Sequence, residues 1–190
     1  MKKILTKIAL AACLLGIPAF VMADDEYNSL FAIEGGCSDV NLEVSSLTEE
    51  IQTNEFGNVG LKIGAESENY RIFLSARYYD ANDFTKFYTA GAAFQYKFNF
   101  SREANFFLGG NIGKAYVRVA QKGTLPSVDM STGYVGGDAG FNFHTSSMID
   151  LEIGARYMHF NETMIRNGYL YDLSSLATAY ASIIIKWKMD

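Results

Sequence analysis

Apolar and polar residues alternate along most of the chain after residue 26, in stretches of about ten residues. Alternation of period two puts apolar side chains on one face of a β-strand and polar side chains on the other. The connections between the stretches alternate between short polar turns and longer loops. The pattern predicts eight strands, over residues 28–38, 57–67, 69–80, 87–98, 105–118, 132–144, 148–160 and 176–188.

Long and short connections lie at opposite ends of the predicted sheet. The longest, over 39–56, 119–131 and 161–175, all fall at one end, and the short turns fall at the other. Outer-membrane barrels combine an even number of strands with short periplasmic turns and longer extracellular loops. The sequence therefore predicts an all-β, eight-stranded antiparallel up-and-down transmembrane β-barrel over residues 24–190.

Charged residues keep to one face of each predicted strand that carries several of them, except in the fifth strand. In a membrane barrel the apolar face meets lipid and the polar face lines the lumen. Bases and acids both occur on the predicted lumen face, so we expect a buried salt-bridge network and not a catalytic cluster. Its predicted members are Glu34, Lys62, Glu66, Arg71, Arg77, Lys97, Asp138, Asp150, Glu152, Arg156, Lys186 and Lys188. So many inward charges argue against the alternative, a soluble periplasmic sandwich or lipocalin-like barrel.

The fifth predicted strand breaks this rule. Lys114 and Arg118 share the parity of Leu108 and Ile112, which places the two bases on the apolar face. A β-bulge near Gly113 would reset the alternation. Alternatively, the strand has already left the bilayer at this point.

Aromatic residues gather near both ends of the predicted strands. Tyr96, Phe106 and Trp187 lie near the short turns, whereas Tyr78 and Tyr88 lie near the long loops. Amphipathic rings favour the two interfaces of a membrane, so this distribution supports a membrane barrel.

The N-terminus has the layout of a secretory signal peptide. A basic start is followed by an almost unbroken apolar run from Ile8 to Met22, which predicts cleavage after Ala23. An alternative is a lipoprotein signal ending at Cys13, but the apolar run before this cysteine is short. We therefore assign residues 1–23 to the signal peptide and 24–190 to the barrel domain.

Composition excludes several classes of function. The formal net charge of −5 becomes −8 once the three lysines of residues 1–23 are removed, which excludes nucleic acid as a partner. Cys37 is the only cysteine left, so the mature chain offers neither an intrachain disulfide nor a cysteine and histidine pattern for a metal. We expect no cofactor.

Three stretches resemble the small outer-membrane barrel families known as OmpA-like and opacity-type "porin family" proteins. They are residues 149–157, with an acidic and apolar strand that ends Gly-Ala-Arg-Tyr, and the glycine-rich stretches 107–113 and 136–140. The resemblance implies the outer membrane of a Gram-negative bacterium, contact with its lipids and lipopolysaccharide, and insertion by the barrel-assembly machinery. Such barrels usually end on an aromatic residue; here Trp187 stands three residues before the end.

The function predicted from these observations is a non-enzymatic, surface-exposed structural barrel with a charge-plugged lumen. One alternative is a narrow porin-like channel for small or hydrophobic solutes. Another is a lipid A acyl hydrolase, because the stretch from Arg156 to Asn161 resembles the His-x-Ser-Asn stretch of lipid A deacylase barrels. Asn161 replaces the nucleophile there, and the hydroxyl would have to come from Ser174 or Ser175. The sequence identifies no surface partner.

The first long loop carries a cluster of negative charge. It contains five acids and no Lys or Arg. Such a cluster usually indicates an acidic loop that is exposed to solvent. An alternative is that the acids bind divalent cations that bridge to lipopolysaccharide phosphates. The acids are Asp39, Glu43, Glu49, Glu50 and Glu55.

Overall fold

The computed structural model describes residues 27–45, 50–51, 56–80, 84–119, 128–166 and 169–188. The predicted signal peptide, and with it the cleavage site, lies outside the described residues, as do Glu49 and Glu55. No helix in the described part of the chain is long and apolar enough to cross a membrane. The strands are β1 (Asn28–Ser45), β2 (Glu50–Ile51), β3 (Phe56–Glu66), β4 (Tyr70–Asp80), β5 (Phe84–Asn99), β6 (Ala104–Val119), β7 (Val128–His144), β8 (Ile149–Arg166) and β9 (Tyr169–Lys188).

The eight long strands form a closed antiparallel barrel. From β3 onward each strand pairs with the next along the chain, and β1 pairs with both β3 and β9, which closes the sheet. The two-residue strand β2 pairs only with the end of β1 and stands outside the ring. The predicted eight-stranded up-and-down barrel is confirmed.

The two ends of the barrel differ in their connections. Connections of three or four residues at 67–69, 100–103 and 145–148 define the turn end. The loop end has the connections 46–55, which contains β2, 81–83, 120–127 and 167–168, and only 46–55 and 120–127 are longer than the turns. Ile63, Leu74 and Ile153, near mid-strand, point outward and are 54%, 40% and 60% exposed. An apolar outer surface of this kind is what a barrel presents to lipid.

Several strands continue further toward the loop end than the sequence predicts. β1 ends at Ser45 instead of residue 38, β7 begins at Val128 instead of 132, and β9 begins at Tyr169 instead of 176. Much of the three predicted long loops is therefore strand. The barrel wall is also uneven, since β4 has 11 residues and β9 has 20. A tilted strand rises about 2.5 Å per residue along the barrel axis, so these lengths correspond to roughly 28 Å and 50 Å.

The polarity of the two faces reverses within the extended strands. Near the turn end of β7, Phe141 points outward and Asn142 inward, whereas near the loop end Met130 points inward and Asp129 outward. The outer surface is thus apolar in one part of the barrel and polar in the other. We call these parts the membrane zone and the loop-end zone.

The reversal explains the parity of Lys114 and Arg118. The pairing of β6 with β7 runs unbroken from Ala104 to Val119, so the predicted bulge near Gly113 is absent. Lys114 is exposed on the outer face, as its parity requires. The other interpretation, that the strand leaves the apolar layer here, fits the reversal. The register shifts that do occur lie at Phe84/Lys86, Asn41/Leu42 and His159/Glu162, all toward the loop end.

Candidate functional site: the barrel lumen

Glu34 is the hub of the charged groups in the lumen. Its carboxylate lies 2.9 Å from Lys62 Nζ and 2.5 Å from Arg77 Nε. Arg156 donates two hydrogen bonds to the same carboxylate, from Nη1 at 2.9 Å and Nη2 at 3.1 Å. The four residues come from β1, β3, β4 and β8, so the hub ties opposite walls of the barrel together.

The network continues from this hub toward the turn end. Lys62 also contacts Glu152 at 2.8 Å, and Glu152 accepts a second bond of 2.8 Å from Arg71 Nη1. Arg71 lies 3.4 Å from Glu66. Because Lys62 and Arg71 each contact more than one acid, the removal of either base leaves more than one buried carboxylate without its partner.

Glu66 forms the turn-end part of the network. Its carboxylate lies 3.2 Å from Lys97 Nζ and 3.4 Å from Lys186 Nζ. Lys186 also reaches Asp150 at 2.9 Å. The side chain of Glu66 is only 4% exposed, so these pairs are shielded from solvent.

An aromatic ring fills the space between the bases at the centre of the lumen. Lys62 Nζ lies 4.5 Å from the centroid of the Tyr180 ring, and the Arg156 guanidinium lies 4.4 Å from it, within the range of cation–π attraction. Gly154 makes room for this ring, because a Cβ at that position would lie 2.8 Å from Tyr180 Cζ. The space beside the inward-facing Gly154 of β8 is therefore filled by the large side chain of Tyr180 on the neighbouring strand β9.

His144, at the end of β7, also joins the network. Its Nδ1 lies 2.9 Å from Asp150 Oδ1 and its Nε2 lies 3.0 Å from Asn105 Nδ2. His144 has the same parity as inward Asn142. That parity is the signal in the sequence that points to the lumen for this histidine as it does for the charged residues.

Two predicted members lie apart from the network. Asp138 is buried but accepts its hydrogen bond from Gln95, and no base among the described residues lies within 4 Å of it. Lys188, the last residue of β9, is exposed at the turn-end rim instead of inside the lumen. The remaining ten predicted residues are brought together as described above: Glu34, Lys62, Glu66, Arg71, Arg77, Lys97, Asp150, Glu152, Arg156 and Lys186.

The lumen of the loop-end zone is apolar, which the sequence analysis did not predict. Tyr79 and Phe87 stack there with ring centroids 4.6 Å apart, and Tyr134 packs edge-on against Phe160 at 6.0 Å. Both Phe87 and Phe160 are at most 1% exposed. We call this cluster the loop-end core; it comprises Val40, Phe56, Tyr79, Phe87, Ala115, Val117, Val128, Met130, Tyr134, Met158, Phe160, Leu173 and Leu176.

His159, the base considered for acyl hydrolysis, lies outside the lumen. His159 pairs in register with Ser175, and His159 is exposed on the outer face. In the described part of the chain no hydrogen bond joins this imidazole to a serine, and the Ser174 hydroxyl donates instead to the carbonyl of Asn41 at 3.2 Å. A serine nucleophile needs a base within hydrogen-bond reach, so this arrangement does not assemble one. The side chain of Asn161 lies outside the described residues.

The arrangement of acids gives no metal centre either. Among the residues that the structure describes, no group of three or more His, Cys, Asp or Glu side chains is placed to hold a metal ion. The lumen acids Asp150 and Glu152 are occupied by bases.

The ring of eight antiparallel strands defines the class of structure as a small, closed, eight-stranded β-barrel. Solved structures share this fold: Neisserial surface protein A has a TM-score of 0.63 at 16% identity, over 84% of this chain and 97% of that one. OprG of Pseudomonas aeruginosa has a TM-score of 0.58 at 10% identity, over 87% and 99%. Outer membrane protein H (OprH) of P. aeruginosa has a TM-score of 0.53 at 21% identity, over 86% and 100%. No family model and no curated protein sequence matches the chain.

Proposed function

We propose that this chain is a non-enzymatic barrel of the outer membrane of a Gram-negative bacterium, with a closed lumen and a structural role at the cell surface. After export and cleavage following Ala23, the mature chain would be inserted by the barrel-assembly machinery and contact outer-membrane lipids and lipopolysaccharide. The loop end would face outward, because longer loops are extracellular in such barrels. The observation that carries the proposal is the filling of the lumen.

Two seals in series support a closed lumen. In the membrane zone, Lys62 and Arg71 reach across the lumen to Glu152 of β8, and Arg77 of β4 reaches Glu34 of β1. Above it, the loop-end core fills the same tube with apolar side chains. The interior of an eight-stranded barrel is just wide enough for side chains to fill it. Ions would have to displace buried charges and then cross an apolar layer, which is costly at both steps.

The seals can be tested by planar-bilayer recording of the mature protein. We expect no steady conductance from the wild type. Arg77→Ala and Phe87→Ala each open one seal and leave the other, so each variant alone stays silent. The double variant should conduct steadily.

A double variant of two exposed residues, Arg102→Ala with Tyr88→Ala, serves as the control and should remain silent. Each protein is first shown to be folded by its shift in electrophoretic mobility on boiling. A large, steady conductance from the wild type would replace the structural role with the channel alternative.

A further inference from the structure

The strands β7 and β8 both continue toward the loop end beyond the point where their pairing stops. The last pair between them is Tyr134 opposite Phe160. Beyond this pair β7 extends to Val128 and remains paired with β6, and β8 extends to Arg166 and remains paired with β9. Among the described residues, nothing pairs with the β7 side of β8 over residues 161–166. This stretch is therefore an unpaired strand edge.

A β-bulge accounts for the separation of the two strands. The register of β8 against β9 shifts between His159 and Glu162, at the level where the pairing with β7 stops. A bulge bends the strand that contains it and increases the local twist. Beyond the bulge β8 therefore turns away from β7 and stays with β9.

The extended ends of three strands form a small sheet above the ring. It consists of residues 161–166 of β8, 169–173 of β9 and 42–45 of β1, and we call it the raised sheet. Its edge on β1 is covered by β2, through Val44 opposite Ile51. In the described part of the chain, the raised sheet thus has one covered edge, on β1, and one bare edge, on β8.

A bare strand edge suits one kind of partner. Every second residue of a strand directs both its N–H and its C=O to the same side, so six residues leave about three donors and three acceptors along the edge. An extended polypeptide satisfies these groups together when it adds to the sheet as a further strand. Residues 161–166 contain no proline, so every N–H along this edge can donate.

An exposed apolar pair lies next to this edge. Ile165 of β8 is 75% exposed, the largest fraction of any large hydrophobic side chain described, and it pairs in register with Leu170, which is 36% exposed. Elsewhere in the loop-end zone the outward side chains include Asp129 and Asn41, which are polar. Ile165 lies eight residues beyond the outward Tyr157, which corresponds to roughly 15–20 Å along the axis. Lipid therefore does not explain its exposure, and an apolar contact with a partner does.

We propose that the edge of β8 over residues 161–166 binds an extended segment of another protein, which adds to the raised sheet as a further strand. Apolar residues at alternate positions of that segment lie on the face of Ile165 and Leu170 and cover them. The inference goes beyond the proposed function and takes from it only the outward orientation of the loop end, which presents this edge to other proteins.

A second copy in the same membrane does not fit this edge. Two upright copies related by a two-fold axis along the membrane normal would bring identical edges together with their strands in the same direction. Each N–H of the edge would then face an N–H, and each C=O a C=O, whereas paired strands need donors opposite acceptors. The partner is therefore a segment of a different protein.

The probe for the test is a short labelled peptide of alternating valine and threonine with a lysine at each end. It is titrated against the folded mature protein in detergent micelles, and binding is followed by fluorescence anisotropy. We expect saturable binding. Hydrogen exchange of the backbone amides locates the contact, and exchange should slow in residues 161–166 but not in β5. Binding that leaves exchange in β8 unchanged would overturn the proposal.

Two methylated forms of the peptide test strand addition directly. In an extended peptide the valine N–H groups point to one side and the threonine N–H groups to the other. Methylation of the valine nitrogens therefore blocks one edge of the peptide, and methylation of the threonine nitrogens blocks the other. One form should bind as the parent peptide does, and the other about tenfold more weakly. Equal affinity of the two methylated forms would overturn addition through one edge.

A pair of protein variants tests the apolar contact. Ile165→Lys should weaken binding of the parent peptide about tenfold, because an apolar contact is lost. Asn41→Lys adds the same charge to the outer face of β1, away from the edge of β8, and should bind as the wild type does. Each variant is first shown to be folded by its shift in electrophoretic mobility on boiling. Equal losses in both variants would overturn the proposal, since added charge alone would then explain them.

The protein without peptide provides the remaining control. If exchange in residues 161–166 slowed as the protein concentration was raised, a second copy would occupy the edge and the proposed partner would be wrong. None of these readouts depends on conductance, so failure here is distinguishable from failure of the closed-lumen proposal.

Discussion

The membrane zone and the loop-end zone are built on the same strands but have opposite polarity. In the membrane zone Ile153 faces out while Glu152 is buried in the lumen. In the loop-end zone Asp129 faces out while Met130 is buried. The backbone alternation is the same in both, and only the surroundings of the outer surface differ. Each zone therefore places its apolar side chains according to what lies outside: lipid in one case and water in the other.

The two interiors should also differ in how strongly the removal of a buried side chain lowers the stability of the barrel. A packed apolar cluster loses contacts in proportion to the atoms removed. A network of buried charges loses far more when one member is removed, because the partners stay charged and lose their compensation. The membrane zone should therefore be the more sensitive of the two to substitution in the lumen.

The largest expected effect is at the hub of the charged network. Glu34→Gln removes the negative charge that Lys62, Arg77 and Arg156 share, and should lower the free energy of unfolding by about 3–5 kcal/mol. Urea titration in lipid vesicles measures it. Glu68→Gln, in the exposed turn after β3, makes the same substitution outside the lumen and should change little. Equal losses at both positions would mean that the network is not a stabilising unit.

A smaller effect should separate the outer surfaces of the two zones. Ile153→Arg puts a charge into the apolar band and should cost about 2–4 kcal/mol in bilayers. Ser131→Arg, also outward but in the loop-end zone, should cost less than about 0.5 kcal/mol. The same titration serves both variants. If the two arginines were tolerated alike, the boundary between the zones would be wrong.

The smallest effect tests the packing of the lumen around one ring. Gly154→Ala places a methyl group 2.8 Å from Tyr180 and pushes the ring away from the two bases, at an expected cost of about 1–3 kcal/mol. Gly57→Ala is the control, because no atom lies within 4 Å of the added methyl. It should leave stability the same or raise it by up to about 1 kcal/mol. A neutral Gly154→Ala would show that the ring does not depend on this space.

The sequence predicted the barrel well where lipid surrounds it. Strand number and order, and the inward position of eleven of the twelve predicted charged residues, all follow from an alternation in which apolar means outward. The same rule failed in the loop-end zone, where Val128 and Leu173 are buried in strands although the pattern predicts loops there. Their alternation has the opposite phase, so it did not continue the pattern of the membrane zone. The position of Lys114 and Arg118 on the face of the apolar residues was the visible sign of this change of phase in the sequence.

The partners within the lumen were beyond the reach of sequence alone. Parity gives the side of the wall on which Asp138 lies, but whether it meets a base depends on the stagger of strands around the ring. It faces Gln95 instead. The contacts of His144 with Asp150 and Asn105 depend on the same stagger.

The pairing of β1 with β9 closes the barrel and has a consequence for how the barrel folds and unfolds. This ladder runs from Asn28 opposite Lys188 to Ser45 opposite Leu170, and joins strands from the two ends of the chain. It can form only after the last strand has been made, so closure is a late and slow event. Once closed, the ring has no free edge from which to unzip, and each backbone group left unpaired in lipid costs several kcal/mol. If the chain is inserted as proposed, its lifetime in the membrane would be governed by its rate of opening more than by its equilibrium stability.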